Sequence, residues 1–186
     1  MPKVQRSEIL DFLTYGEQRD RIRAEAMAAK ALRRVHLGEY LTFLFENRTT
    51  IRYQILEMVR AEQIVREAQI QHELDTYNAV LGGDGELGCT LLIEIRDEAD
   101  RNILLRRWRD LPEHIFMTFT DGTRKAARFD EEQMSDEKLS AVQFLKFTVG
   151  SRTPLGVMTD LLELVTDAVL SPETRAALLL DLGNRN

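Results

Sequence analysis

The chain of 186 residues has little of the material from which small reactive centres are usually built. It contains one cysteine, Cys89, and three histidines. A single cysteine excludes an internal disulfide framework and the four thiolates of a typical structural zinc or iron–sulfur site, and it is typical of a reducing cytosol. No His-Glu-x-x-His segment is present, so the usual zinc-protease helix is also excluded.

Long apolar runs are missing as well. The longest runs, such as residues 176–180, fall far short of the roughly 20 residues that a membrane span needs, and the first residues lack the apolar core of a signal peptide. We therefore expect a cytoplasmic protein with no membrane segment. One domain covering residues 1–186 fits this length, with enough apolar residues for a sizeable core.

The net charge of −6 disfavours general nucleic-acid binding, but this charge is unevenly distributed. Residues 19–34 carry six basic and two acidic side chains, a balance of +4, whereas residues 130–137 carry five acidic and no basic side chains, a balance of −5. Opposed charges of this kind favour a self-associating or partner-docking surface, and we predict a homodimer. The basic stretch has no interleaved aromatics, which disfavours a nucleic-acid interface.

The order of elements predicts an α+β fold: a mostly antiparallel sheet of five to seven strands, with a long N-terminal helix and further helices packed on one face. Ser7 is the expected cap of the first helix, and Thr49 or Thr50 of the second. Strands are predicted at 40–45, 90–95, 115–120, 123–129 and 141–149, the third and fourth joined by an Asp121-Gly122 hairpin turn. Residues 155–170 fit either a helix or a strand pair.

A group of polar residues follows the predicted buried strand 40–45. Its members are Glu46, Asn47 and Arg48, and then Gln54, Glu57 and Arg60 at three-residue steps on one drifting helix face. Buried charges persist only when they are paired and hydrogen-bonded. The group is therefore either a structural ion-pair network or a polar pocket that binds a small anion or a metal, and the sequence leaves both open.

A second candidate is a metal site. His72 and Asp75 are three residues apart and can share a helix face, with Glu57, Glu46 or Glu39 brought in by the fold. Imidazole and carboxylate ligands suit iron, manganese or zinc. Since no spacing fixes the third ligand, a solvated pair of side chains is the alternative, and the residues indicate no particular cofactor.

Several segments carry a resemblance to a known family. They lie at 33–38, 41–50, 54–64, 72–78, 83–87, 140–144 and 170–173. Together they resemble the bacterial domain-of-unknown-function family 3501 over nearly the whole chain. The resemblance implies no assigned activity, but members are often encoded near rubrerythrin-like proteins and iron–sulfur oxidoreductases. It also shows two departures, because members often carry histidine at the position of Gln143 and His-Pro near Asp160-Leu161.

Two functional hypotheses follow. The first is a non-enzymatic cytosolic accessory or interaction protein of a redox or peroxide-defence pathway, with a redox protein as its partner. The second is a metal- or small-anion-binding protein, with catalysis left open, whose polar pocket is formed by Glu46, Arg48, Gln54, Glu57 and Arg60 together with His72.

Overall fold

A computed structural model describes residues 1–129 and 137–183. The helices are α1 (Phe12–Ala31), α2 (Arg48–Ala61), α3 (Glu67–Asn78), α4 (Glu98–Arg107) and α5 (Pro172–Gly183). The strands are β1 (Arg34–Leu37), β2 (Leu41–Glu46), β3 (Glu86–Ile93), β4 (Ile115–Phe119), β5 (Arg124–Ala126), β6 (Arg128–Phe129), β7 (Val142–Thr148), β8 (Pro154–Thr159) and β9 (Thr166–Val169). Short 3-10 turns lie at Arg6–Glu8 and Leu111–His114.

The α+β class and the antiparallel pairing are confirmed, and the strands form two sheets. The first sheet has the order β1-β2-β3-β7-β6 and the second has the order β5-β4-β8-β9. The predicted strand 123–129 is divided at Ala127, whose buried amide donates to the Ile115 carbonyl, so that the chain passes there from the second sheet to the first. Hairpin signals fix which strands follow a turn but not where a chain changes sheets.

Three layers build the molecule, with a core on each side of the first sheet. Phe43 and Phe45 of β2 belong to the core that also contains Met117 and Phe119 of the second sheet. The helices α1, α2 and α3 form a separate core, with Phe144 of β7 packed against it. Alternating side chains of one strand point to opposite faces, which explains how β2 is buried along its whole length.

Several local boundaries differ from the sequence prediction. Helix α1 begins after Asp11 rather than Ser7, because the Asp11 carboxylate accepts hydrogen bonds from the amides of Leu13 and Thr14, both at 3.0 Å. Asn47 caps α2 in place of a threonine. The ambiguous segment 155–170 contains the strand pair β8 and β9, and the strand β1 was not predicted. Most of the acidic stretch, residues 130–136, lies outside the described residues.

None of the helices in the described part of the chain is long and apolar enough to cross a membrane.

Candidate functional site

The predicted polar group is divided between two arrangements along α2. Glu46 is bound by Thr50 near the start of the helix, whereas Glu57 is bound by residues of α1 near its end. Thr50 and Glu57 are separated by roughly 10 Å along the axis, since each residue of an α-helix rises about 1.5 Å. The two carboxylates therefore do not line one pocket.

Glu46 is a buried carboxyl group at the end of β2. Its Oε2 accepts a hydrogen bond of 2.5 Å from the Thr50 hydroxyl, and its Oε1 accepts one of 2.8 Å from the Thr90 hydroxyl. Burial raises the pKa of Glu46, because removal from water disfavours the charged form, and this outweighs the two hydroxyl donors and the charge of Lys30. Both oxygens of the buried Glu46 carboxyl group therefore have a hydroxyl donor within the protein, and this group is not open to a ligand.

This raised pKa gives a pH-dependent prediction. Between the unfolded-state pKa of about 4.3 and the higher folded-state value, the folded protein holds more protons at Glu46, so this residue lowers stability as the pH rises. We expect Glu46→Gln to be more stable than the wild type, with the difference in free energy of unfolding widening as the pH rises above the unfolded-state pKa of about 4.3. Urea unfolding measures this difference.

The exposed Glu25→Gln variant, which removes one glutamate charge from the surface, is the matched control for the change of residue type. A Glu46→Gln difference that stays constant with pH would show that the folded environment does not perturb this carboxyl group.

Glu57 lies in a closed arrangement between α1 and α2. Its carboxylate accepts hydrogen bonds from Arg19 Nε at 2.8 Å and from the second guanidinium nitrogen at 2.9 Å, and another from the Tyr15 hydroxyl. The Arg19 guanidinium is the largest cause of the lowered pKa of Glu57, while burial and this carboxylate raise the pKa of Tyr15. Each acceptor atom has a protein donor, so the arrangement links two helices.

The remaining predicted ligands are dispersed. Asn47 Oδ1 accepts from the Thr50 amide at 3.0 Å and so caps α2. Arg48 forms an ion pair of 2.8 Å with Glu8. Gln54 is half-buried and Arg60 is exposed.

The predicted metal ligands are also not brought together. His72 and Asp75 are exposed on α3, and the Asp75 carboxylate accepts a hydrogen bond of 2.9 Å from Gln71. Across residues 1–129 and 137–183, no three His, Cys, Asp or Glu side chains are grouped so that they could hold a metal ion. Cys89 is fully buried, and burial raises the pKa of its thiol, so it is a core residue that keeps its proton.

A groove that the sequence did not indicate lies where the end of α3 meets the strands β6 and β7. Its volume is about 680 Å³. It is lined by Thr76, Ala79, Val80, Arg128, Phe129, Phe144, Leu145 and Lys146. Ligand pockets typically measure about 300–1,000 Å³ and combine an apolar lining with a few polar groups. This groove has both features.

The charges in the groove are of one sign. Its lining contains the cations Arg128 and Lys146 and no acidic residue. Arg128 is neutralised by Glu86 at 2.5 Å. Lys146 is half-buried, and within the described residues its ammonium group has no ion-pair or hydrogen-bond partner. The groove therefore holds one unneutralised cation among largely apolar side chains.

The sheet register explains how Lys146 reaches this position. On β7, Leu145 and Phe147 belong to the core between the sheets, so the alternate residues Phe144 and Lys146 point to the helical side. Lys146 lies between Arg128 on β6 and Gly88 on β3. The strand 141–149 and its buried face were predicted from alternation. The opposite face becomes part of a groove only because α3 packs beside it, and the sequence does not show that contact.

The chain matches a known protein family and a solved structure over nearly its whole length. The model of the family described as "Protein of unknown function (DUF3501)" matches residues 3–182. A crystal structure of a novel protein of unknown function from Burkholderia pseudomallei is 33% identical in sequence, with a TM-score of 0.90 over 97% of this chain and 100% of that chain. No curated protein matches significantly. The chain therefore belongs to the DUF3501 family of proteins of unknown function.

Proposed function

We propose that this protein is a binding protein, and that the groove between α3 and the strands β6 and β7 takes a small ligand with one anionic group and an apolar body. The observation that carries the proposal is Lys146, a half-buried cation without a partner among the described residues, inside a groove lined largely by apolar groups. An unpaired charge away from bulk water is costly, and a bound anion removes that cost.

The lining divides the ligand into two parts. The Lys146 ammonium, with the nearby Arg128 guanidinium, suits a carboxylate, sulfonate or phosphate group. Phe144 on β7, with Ala79 and Val80 after α3, offers aromatic and aliphatic contact to an apolar body. A medium-length fatty acid or an aromatic carboxylate has this chemistry.

This proposal retains the small-anion hypothesis but moves it to different residues. Binding of such a ligand is compatible with an accessory role in a redox or peroxide-defence pathway, for which the family resemblance is the sole support. The buried thiol of Cys89 does not offer a reactive thiolate to that role. The metal hypothesis stays a prediction, which metal analysis of wild type and His72→Ala tests.

A fluorescence titration with 8-anilinonaphthalene-1-sulfonate tests the groove, because this probe joins a sulfonate to an aromatic body. We expect saturable binding to the wild type and displacement by decanoate. Decanol, which has a similar tail but no charge, should compete at least about 10-fold more weakly, because a charge-assisted hydrogen bond contributes about 1.5–3 kcal/mol. Lys146→Ala should weaken decanoate by a similar factor and leave decanol unchanged.

Lys125→Ala is the matched control, because Lys125 is an exposed lysine on β5 outside the groove. It should behave as the wild type. Equal displacement by decanoate and decanol, or equal losses in the two lysine variants, would refute an anion site at Lys146.

A further inference from the structure

Three charged side chains share the face of the first sheet on which the groove lies. Arg128 on β6 is paired with Lys146 on β7. Glu86 on β3 is paired with Thr148, which lies two residues further along β7. Residues that are paired across strands, or two apart on one strand, lie on the same face of a sheet. Leu145 belongs to the core between the sheets, so these charges project on the opposite, helical side.

Glu86 is held in a fixed position beside the groove. Its side chain is 17% exposed, and its Oε1 accepts hydrogen bonds from the Arg128 guanidinium at 2.5 Å and from the Thr148 hydroxyl at 3.3 Å. Its Oε2 accepts a third hydrogen bond, from the Gly83 amide at 3.3 Å. Donors from three different segments therefore fix this carboxylate where it pairs with one of the two cations of the groove.

These three charges leave a balance of +1 at the groove. Lys146 and Arg128 are two cations, and Glu86 is one anion. A head group with a single negative charge is matched by Lys146 and leaves the pair of Arg128 and Glu86 intact. A head group with two negative charges needs the second cation, so it must either displace Glu86 from Arg128 or lie beside that carboxylate. Both arrangements cost free energy, because like charges repel at short range and a displaced carboxylate loses its donor.

We propose that Glu86 makes the groove select ligands whose head group carries one negative charge, such as a carboxylate or a sulfate ester, against those that carry two, such as a phosphate monoester. This inference rests on the proposed anion site at Lys146 and narrows its ligand class. Selectivity of this kind comes from a repulsive group placed beside an attractive one, and it needs no further contact to the preferred ligand. Glu86 is not among the residues that line the groove, and it acts through Arg128 and through its own charge.

Decyl sulfate and decyl phosphate test this selection, because they share a tail and a tetrahedral head group and differ in charge. At about pH 8 the phosphate monoester is mostly a dianion, since its second pKa is about 6. Displacement of 8-anilinonaphthalene-1-sulfonate, below the concentrations at which the ligands form micelles, measures both affinities. We expect the wild type to bind decyl sulfate at least about 10-fold more tightly than decyl phosphate.

Two variants change the charge balance in opposite directions. Glu86→Gln keeps the shape of the side chain and an oxygen acceptor but removes the charge. Both ligands should then bind more tightly, and the dianion should gain more, so the preference for decyl sulfate should shrink at least about 10-fold. Arg128→Gln should widen the preference, because Glu86 is left without its cation. Arg128 is 62% exposed, so this second variant should fold normally.

Glu25→Gln is the matched control, because it removes a carboxylate from the exposed surface of α1, and it should leave the preference unchanged. A wild type that binds both ligands equally, or a preference that Glu86→Gln does not alter, would overturn the charge selection while the anion site at Lys146 stands. Failure of decyl sulfate to displace the probe at all would contradict the anion site itself, and the charge selection with it.

Discussion

Asp181→Ala should lower the free energy of unfolding by about 3–5 kcal/mol, because it leaves a buried guanidinium without its partner. Arg33 and Asp181 are only 8% and 6% exposed. Arg33 donates two parallel hydrogen bonds to the Asp181 carboxylate, at 2.7 and 3.0 Å, and a third to the Ala29 carbonyl at 3.0 Å. This contact ties the end of α1 to α5.

Most of this loss of stability should come from leaving the Arg33 guanidinium buried without a partner, and only a small part from losing the attraction between Arg33 and Asp181. The double variant Arg33→Met with Asp181→Leu, which removes both charges, should therefore be more stable than Asp181→Ala. Urea unfolding compares these variants with Glu25→Ala, which breaks the exposed Arg21–Glu25 pair and should cost at most about 0.5 kcal/mol. Equal losses for Asp181→Ala and Glu25→Ala would contradict the buried contact.

Gly88→Ala should be destabilising by about 3 kcal/mol, near the upper end of the usual cost of overpacking. A Cβ atom at Gly88 would lie 1.9 Å from the carbonyl oxygen of Val80 and 2.9 Å from the amide nitrogen of Gly82. Both neighbours are backbone atoms, so the connection after α3 must move away from β3. Since Val80 also lines the groove, the same variant should weaken binding of the sulfonate probe.

Gly16→Ala is the control for adding a methyl group. Gly16 is exposed inside α1, and a Cβ there meets nothing within 4 Å. Because alanine favours a helix over glycine by up to about 1 kcal/mol, this variant should be slightly stabilised. Urea unfolding of both variants decides the matter: a Gly88→Ala protein as stable as the wild type would show that the connection after α3 does not press on β3.

The elements with strong local signals could be predicted from the sequence. Alternation in residues 40–45 predicted β2 to within one residue, and the Asp121-Gly122 turn predicted the reversal after β4. Caps were harder, because Ser7 and Asp11 are both good caps and tertiary packing decides which one begins the helix. The division into two sheets depends on the crossing at Ala127, which has no local signature.

The candidate site was harder to predict than the fold. Glu46 and Glu57 are charged residues at and after the end of a predicted buried strand, and the structure shows both bound by nearby hydroxyl or guanidinium donors. Lys146 looks in sequence like any lysine on an alternating strand. Its importance comes from the placement of α3 and from the lack of a partner, which depend on contacts between distant segments.

The most direct test of the proposed function is a crystal structure of the protein grown with 10-bromodecanoate, in which anomalous scattering locates the bromine. We predict the carboxylate beside the Lys146 ammonium, within about 3 Å, and the bromine in the groove near Phe144 and Val80. An empty groove at saturating ligand, or a bromine peak confined to another part of the surface, would contradict the proposal.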